Sequence, residues 1–155
     1  MTFREAVGGT PSLRDAYRQG LQALSARDAK RLRVKDSRRL TGRVNLDEAL
    51  RAAQPEAPRW DYGIGYRHSH QEEAIWLEVH PASSRHVDEV LTKLRWLHEW
   101  LKGQAPDLHK LTRAGFYWIA TDGQVALSRH SPQARRLAKA GLRGPWRVLH
   151  LPPPR

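Results

Sequence analysis

The chain has 155 residues and a formal net charge of +11, with 27 Lys and Arg against 16 Asp and Glu. It contains no cysteine, which excludes disulfide bonds, thiolate metal sites and a cysteine nucleophile. No apolar run approaches the roughly 20 residues that a membrane-spanning helix needs, and the first residues, MTFREAVGGTPS, lack the apolar core of a signal peptide. We therefore expect a cytoplasmic protein without a membrane segment.

The length and the 39% of hydrophobic residues suit one domain with its own core. We predict a single domain over residues 1–155, with an N-terminal helix and basic stretch (1–43), a core (44–151) and a mobile tail (152–155). The positive charge attracts polyanions, so nucleic acid, either DNA or RNA, is the expected partner. A GC-rich genome would also raise the arginine content without such a partner, and the composition leaves both interpretations open.

The first third of the chain predicts a helix followed by a basic stretch. In TPSLRDAYRQGLQAL, Ser12 can cap a helix whose apolar residues recur at helical spacing. The following RDAKRLRVKDSRRLTGR has little to bury, and is either a solvated loop or an arm along a phosphate backbone. The basic residues that we expect to bind nucleic acid are Arg31, Arg33, Lys35, Arg38, Arg39 and Arg43, together with Arg67, Arg135 and Arg136.

The middle of the chain predicts a short helix, a hairpin and a long helix. Asn45 and Glu48 have the spacing of a capping box, so a helix is expected to follow Asn45. Residues 62–67 and 74–79 alternate with period two, which predicts two strands joined by the polar turn RHSHQEE. The segment SSRHVDEVLTKLRWLHEWLK predicts the longest helix, which Gly103 can end.

The last third predicts a second hairpin, a helix and a strand. In FYWIATDGQVAL, Asp122 and Gly123 favour a two-residue turn between strands. Ser131 and Pro132 open a helix that Gly141 ends, and WRVLHL is the last strand. The predicted order is therefore helix, helix, hairpin, long helix, hairpin, helix and strand.

Two acids of the first hairpin are expected to face each other. If the hairpin is symmetric about its turn, the numbers of opposed residues sum to about 139, which places Asp61 opposite Glu78. The β-carbons of opposed residues lie roughly 4.5–5.5 Å apart, and two carboxylates at that distance repel each other. Either one of them is protonated or a cation lies between them. That cation could be Arg59 or Arg67 in a structural ion pair, or a divalent metal ion.

The segment PRWD, followed sixteen residues later by Glu78-Val79-His80, resembles the PD-(D/E)xK motif of the restriction-endonuclease-like nucleases. In that family a helix, three strands, a helix and a further strand form the core, and the motif's acids lie on neighbouring strands. The resemblance covers roughly residues 44–121. It implies an α/β fold with a mixed sheet flanked by helices and a restriction-endonuclease-like core.

The resemblance also implies a metal-dependent nuclease that cleaves phosphodiesters of DNA or RNA with Mg²⁺ or Mn²⁺. Asp61, Glu78 and the backbone carbonyl of Val79 would then bind the metal ion. Glu48 on the preceding helix would be an additional acid.

The chain departs from the family's motif at two positions. His80 stands where the motif has lysine, and Trp60 separates Pro-Arg from Asp61. A neutral histidine can orient water or bind metal, but it carries no permanent charge. His80 and Lys93, which lies on the long helix, are therefore both candidates for the catalytic residue that positions the attacking water.

A second class of function is also open. Without the family's lysine, the chain could be a non-catalytic nucleic-acid-binding protein or a protein-interaction subunit of a larger complex, for example in phage defence. Trp96 and Trp100 lie off the leucine stripe of the long helix. They are candidate contacts with a protein partner or a second copy of the chain.

Overall fold

The structure, a computed structural model, describes residues 1–19, 26–121 and 127–153. Within these ranges the chain forms two sheets, with helices before, between and after the strands of the larger one. The helices are α1 (Phe3–Gly8), α2 (Ala26–Ala29), α3 (Leu46–Leu50), α4 (Val87–Gln104), α5 (Pro106–Leu111) and α6 (Pro132–Lys139). The strands are β1 (Leu32–Val34), β2 (Leu40–Asn45), β3 (Tyr62–His68), β4 (Gln71–His80), β5 (Thr112–Ala120), β6 (Leu142–Trp146) and β7 (Leu149–Leu151).

The large sheet has the strand order β2-β3-β4-β5-β6. β2, β3 and β4 are antiparallel neighbours, whereas β5 lies parallel to β4 and β6 lies parallel to β5. Parallel strands begin at the same end of the sheet, so the chain must cross back to that end between them. α4 and α5 lie in the connection from β4 to β5, and α6 lies in the connection from β5 to β6. The chain therefore has the expected α/β architecture, a mixed sheet flanked by helices.

The two faces of this sheet bury different hydrophobic clusters. Trp76 and Trp118 lie in the cluster that also contains apolar residues of α1, α3, α4, α5 and α6. Leu77 and Ile119, their neighbours along the same strands, lie in the other cluster, with Leu149 of β7. Successive side chains of a strand point to opposite faces. Helices therefore cover one face of the sheet, and the two-stranded parallel sheet of β1 and β7 covers the other.

The β3–β4 hairpin has the predicted register. Gly63 pairs with Trp76 and Ile64 pairs with Ile75, so the opposed residue numbers sum to 139 as expected. A β-carbon added at Gly63 would lie 2.6 Å from Cζ3 of Trp76. The glycine therefore leaves the room that the indole ring occupies across the strand.

Three predicted helices are present. α3 and α6 begin where predicted, whereas the segment predicted as the long helix from Ser83 starts with a 3-10 turn, and α4 itself begins at Val87. The side chain of Asn45 accepts the backbone N–H of Glu48 at 2.9 Å and caps α3. The hydroxyl of Ser131 accepts the N–H of Ala134 at 3.1 Å and caps α6. α4 buries its leucine stripe and ends one residue after Gly103. α5, which starts at Pro106, was not predicted.

The predicted N-terminal helix is wrong over its described part. Residues 11–13 form one 3-10 turn, and Arg18 then forms an isolated antiparallel bridge with Arg43 of β2. The hydroxyl of Tyr17 donates to the carbonyl of Thr41, and its ring lies over Gly42. These tertiary contacts outweigh the weak helical preference of the segment. The end of the predicted helix, residues 20–24, lies outside the described residues.

The basic stretch is also more ordered than expected. Leu32 in β1 pairs with Leu149 in β7, and β2 forms an edge of the large sheet. The expectation that this stretch has little to bury is therefore wrong, because Leu32 belongs to a hydrophobic cluster.

The C-terminal third combines confirmed and corrected elements. β5 pairs with β4 on one side and with β6 on the other, whereas the predicted turn at Asp122 and Gly123 lies outside the described residues. The segment WRVLHL is not one strand, since Trp146 ends β6 and Leu149 begins β7 in the other sheet. Of the predicted tail (152–155), the structure describes residues 152 and 153 only.

Candidate functional site

Asp61 and Glu78 meet at the end of the large sheet where β3 begins and β4 ends. The backbone N–H of Asp61 donates to Oε1 of Glu78 at 3.2 Å, and the N–H of Val79 donates to Oδ2 of Asp61 at 2.8 Å. Glu78 lies two residues after Trp76, so its side chain is on the helix-covered face. The Glu78 side chain is 0% exposed, and the Asp61 side chain keeps 22% of its surface accessible. The two acids therefore face each other as the hairpin register predicts.

Lys93 is the cation that the two carboxylates share. From α4, its Nζ contacts Oε2 of Glu78 and lies 3.7 Å from Oδ1 of Asp61. Neither arginine considered from the sequence has this role. Arg59 instead pairs with Asp47 at 3.0 Å, and Arg67 lies near the hairpin turn at the other end of β3.

Burial and the shared charges shift the proton affinities of this group. Burial, reinforced by the neighbouring carboxylate of Glu78, raises the pKa of Asp61 to about 7, although Lys93 and the Val79 N–H act in the opposite direction. Burial lowers the pKa of Lys93, but Glu78 and Asp61 outweigh that effect and leave the pKa above its usual value. Lys93 therefore remains an ammonium group while Asp61 titrates near neutral pH.

His80 extends the group toward the start of α4. Its Nδ1 lies 3.5 Å from Oε2 of Glu78, and its Nε2 lies 3.2 Å from Oε2 of Glu89. A hydrogen bond to Glu78 raises the pKa of His80, and burial opposes this shift. The backbone carbonyl of His80 accepts the indole N–H of Trp118 at 3.0 Å, which fixes the end of β4 against β5.

The group has a donor set that suits a hard divalent cation. The carboxylates of Asp61 and Glu78 share one ammonium group, so one negative charge is left over when both are ionised. Mg²⁺ and Mn²⁺ prefer carboxylate and carbonyl oxygens. The N–H of Val79, whose carbonyl is the third predicted ligand, donates to Asp61 and holds this backbone beside the two acids. These residues therefore fit the metal ion that the resemblance implies.

Comparison with known proteins gives no relative of this chain. No protein-family model, no curated protein and no solved structure matches it. None of the helices in the described ranges combines the length and the apolar character needed to cross a membrane. What the site can do therefore follows from its own residues.

Sequence reasoning chose the wrong acid on α3. The backbone N–H groups of Leu46 and Asp47 donate to the carbonyl of Asp61 at 2.8 and 3.4 Å, and Asp47 also contributes to the raised pKa of Asp61. Glu48 is exposed and lies beside a different surface groove. Consecutive residues of a helix differ by about 100° in direction, so a five-residue helix did not reveal which acid faces the hairpin.

Sequence reasoning placed Glu89 on the same face of the long helix as Lys93 but assigned no role to Glu89 or His86. His86 ends a 3-10 turn (Ser84–His86) that leads into α4, and Glu89 lies in the first turn of α4. The numbers 86, 89 and 93 have the spacing of one helix face. The same spacing would have placed His86 on this side as well.

Three of the predicted phosphate-binding arginines line one groove near the β3–β4 turn. Arg38, Arg39 and Arg67 lie there together with His70. Arg39 Nη1 donates to the carbonyl of Arg67 at 3.1 Å, which holds the two segments together. At about 3.3 Å per strand residue, the length of β3 puts this groove roughly 20 Å from Asp61.

Two other predicted residues lie closer to the acids. Arg31 Nη1 donates to the carbonyls of Ala120 and Thr121 at 3.0 and 3.1 Å, and Ala120 is the β5 partner of His80. Arg136 on α6 pairs with Asp88 in the first turn of α4 at 2.6 Å. Arg31 therefore contacts the end of β5 and Arg136 contacts the first turn of α4, both of which adjoin the site.

The remaining predicted basic residues divide into exposed and buried ones. Arg33, Lys35 and Arg135 are exposed. Arg43 departs from the expectation, because it is 0% exposed and its guanidinium has no hydrogen-bond partner among the described residues. Burial lowers the pKa of Arg43 to about 10. A side chain so enclosed does not suit contact with a phosphate backbone.

The predicted partner surface on α4 is also corrected in part. Trp96 and Trp100 stack on each other with ring centroids 5.9 Å apart. Trp100 is 2% exposed and belongs to the helix-side core, whereas Trp96 donates to Gln54 Oε1 at 3.4 Å. Trp100 therefore stabilises the domain and is not accessible to a partner.

Proposed function

We propose that the protein is a metal-dependent nuclease with a restriction-endonuclease-like core, in which Lys93 takes the place of the motif's lysine. The observation that carries this proposal is the contact of Lys93 with both Asp61 and Glu78. In the motif, the lysine stands two residues after the glutamate on the same strand. Here His80 stands at that position, and an ammonium group reaches the same acids from α4.

The order of the elements supports the proposal. β2, β3 and β4 are three antiparallel strands, the long helix α4 follows them, and β5 returns parallel to β4. The three strands, the long helix and the returning strand follow one another as the resemblance implies, but α3 lies between the first two strands and α5 lies between α4 and β5. Asp61 directly precedes the second of these strands and Glu78 lies on the third, so the acids are also on neighbouring strands.

Each residue of the group has a distinct task in this proposal. Asp61, Glu78 and the carbonyl of Val79 would hold Mg²⁺ or Mn²⁺, which supplies a more acidic bound water and stabilises charge on the phosphodiester. Lys93 donates hydrogen bonds, so its ammonium can orient a water molecule or a phosphate oxygen. The ring of His80 lies against Glu78. It therefore steadies that carboxylate, and Lys93 is the better placed of the two candidates to orient water.

The basic surface is consistent with a nucleic-acid substrate. Arg31 contacts the end of β5, and Arg136 contacts the first turn of α4. The groove of Arg38, Arg39 and Arg67 would contact the backbone of the same substrate farther along the hairpin. Arginine suits phosphate because its planar fork can bind two oxygens at once.

Cleavage assays with matched variants test the proposal. The full chain is incubated with single- and double-stranded DNA and RNA in Mg²⁺, in Mn²⁺ or in chelator. Asp61→Asn, Glu78→Gln and Lys93→Met are each expected to lower the cleavage rate by about 100-fold or more. Glu99→Gln and Lys102→Met change exposed residues of α4 and should leave the rate unchanged. Circular dichroism spectra of each variant check that it is folded under the assay conditions.

The other outcomes point to different functions. Binding with a steep salt dependence but no cleavage, retained in all three variants, would indicate a non-catalytic nucleic-acid-binding protein. If the wild-type protein neither cleaves nor binds nucleic acid at low salt, the nuclease proposal is wrong. Asp61, Glu78 and Lys93 would then form a structural ion-pair network.

A further inference from the structure

Three metal-ligating side chains come together beside the Asp61–Glu78 pair. His80, His86 and Glu89 each offer one ligand atom, and these atoms lie within 4.8 Å of one another. His80 is the last residue of β4, whereas His86 and Glu89 lie at the start of α4. The cluster therefore links the end of the strand to the beginning of the helix.

The ring of His80 is oriented as a metal ligand requires. Its Nδ1 lies 3.5 Å from Oε2 of Glu78, and when Nδ1 carries the proton and donates to that carboxylate, Nε2 keeps its lone pair for a metal ion. Nε2 is buried and makes no hydrogen bond within the described residues, although Oε2 of Glu89 is 3.2 Å away. In metal-binding histidines, the ring nitrogen that does not bind the metal commonly donates its hydrogen to a carboxylate, as Nδ1 of His80 can to Glu78.

His86 is held in a comparable way. The hydroxyl of Ser83 lies 2.7 Å from Nδ1 of His86. When Nδ1–H donates to that oxygen, Nε2 keeps its lone pair for a metal ion. The two imidazole rings meet edge to face, with centroids 5.1 Å apart. Both histidines therefore have their orientation set by a neighbour outside the cluster.

The charge of the region also favours a bound cation. The carboxylates of Asp61, Glu78 and Glu89 are offset by the one ammonium group of Lys93, so two negative charges are left over when all three acids are ionised. A divalent ion would balance them. The side chain of Glu89 is 59% exposed, which gives an ion a route in from solvent.

We propose that His80, His86 and Glu89 form a binding site for a divalent transition-metal ion such as Zn²⁺, distinct from the Asp61–Glu78 pair. Two imidazoles and one carboxylate favour Zn²⁺, Co²⁺ and Ni²⁺ over Mg²⁺, which prefers an all-oxygen environment. Three protein ligands leave a coordination position open, as in catalytic rather than structural zinc sites. The site would then accept a water molecule or a substrate oxygen next to the carboxylate pair.

Co²⁺ titration of the full chain, prepared without a polyhistidine tag, tests this site. The visible absorption of Co²⁺ reports its coordination, and added Zn²⁺ should displace it. The wild-type protein is expected to bind at least one Co²⁺ per chain. His86→Ala and Glu89→Ala should each weaken this binding by about tenfold or more. His109→Ala and Glu99→Ala, at exposed positions outside the cluster, should bind as the wild type does.

Three results would overturn the proposal. The first is an absence of Co²⁺ and Zn²⁺ binding by the wild-type protein at micromolar concentrations. The second is binding that is unchanged in both His86→Ala and Glu89→Ala. The third is binding that is lost in Asp61→Asn but retained in His86→Ala, since the ion would then belong to the carboxylate pair. None of these readouts uses cleavage, so they are independent of the nuclease proposal.

Discussion

Lys93 of α4 contacts Glu78 of β4, and this contact joins the longest helix to the centre of the large sheet. Glu78 is fully buried and Lys93 is 15% exposed. A buried charge without a partner is strongly destabilising. The residues that we assign to catalysis are therefore also coupled to folding, and each substitution in this group has consequences for stability as well as for activity.

We predict that Lys93→Met destabilises the protein by about 3–5 kcal/mol in chelator, because it leaves the carboxylate of Glu78 buried without its cation. The double variant Glu78→Gln/Lys93→Met should recover most of that loss, since it removes both charges. Urea denaturation followed by circular dichroism measures both values. A double variant as unstable as Lys93→Met would show that the lost stability does not come from the unpaired carboxylate.

The raised pKa of Asp61 predicts a pH-dependent stability. Its pKa is about 7 in the folded protein and about 3.9 in an unfolded chain, so the folded state holds a proton that the unfolded state releases between these values. Stability should therefore fall as the pH rises from about 4 to 7. Asp61→Asn removes this effect and should be more stable than the wild type by about 1–3 kcal/mol at pH 8 in chelator. At pH 4 the two proteins should differ little, and identical pH profiles would contradict the assignment.

The groove near the hairpin turn predicts where nucleic acid binds. Arg38→Gln and Arg67→Gln should each weaken binding and reduce the slope of log affinity against log salt by about 1. Arg95→Gln changes an exposed arginine of α4 outside the groove and serves as the control. Binding isotherms at several salt concentrations give the slopes. If both groove variants keep the wild-type slope, the groove does not contact the phosphate backbone.

Gly63 and Gly103 predict opposite effects of the same substitution. A methyl group at Gly63 would meet the ring of Trp76, so Gly63→Ala should destabilise the protein by about 1–3 kcal/mol. A methyl group at Gly103 would meet nothing within 4 Å, and in α4 it should stabilise by about 0.5–1 kcal/mol. Thermal unfolding of both variants measures the direction of each change in stability. If Gly63→Ala is as stable as the wild type, the ring of Trp76 does not lie as close to Gly63 as the structure shows.

The proposed transition-metal site predicts a role for Ser83. Ser83→Ala removes the hydroxyl that holds the ring of His86, and it should lower the affinity for Co²⁺ by about tenfold. Ser84→Ala removes a hydroxyl from the exposed neighbouring residue and should leave the affinity unchanged. Isothermal titration measures both. Equal affinities in the two variants would mean that the Ser83 hydroxyl does not orient the ligand.

Several elements could be predicted because they depend on neighbouring residues. The alternation of residues 62–67 and 74–79 determined the hairpin and its register, and that register alone brought Asp61 and Glu78 together. The caps at Asn45 and Ser131 determined where α3 and α6 begin. Period and capping act over a few residues, so the sequence by itself contains them.

Other features were decided by contacts between distant segments. Tyr17 packs over Gly42 instead of continuing a helix, and Leu32 pairs with Leu149 at the other end of the chain. The sequence predicted Arg43 on a nucleic-acid-binding surface and Trp100 at a partner interface, but both side chains are buried. No local pattern contains these pairings, because they depend on which faces pack together once the sheet has formed.

The same division holds within the candidate site. The hairpin register required either a protonated acid or a cation between the two acids, and the sequence offered arginines, a metal ion and, separately, Lys93 on another element. The choice depends on the angle at which α4 crosses the sheet and on the turn of that helix which faces Glu78. Packing of whole elements determines that angle. The acid pair was therefore determined by the sequence, whereas its cation and the neighbouring cluster of His80, His86 and Glu89 were decided only by the tertiary structure.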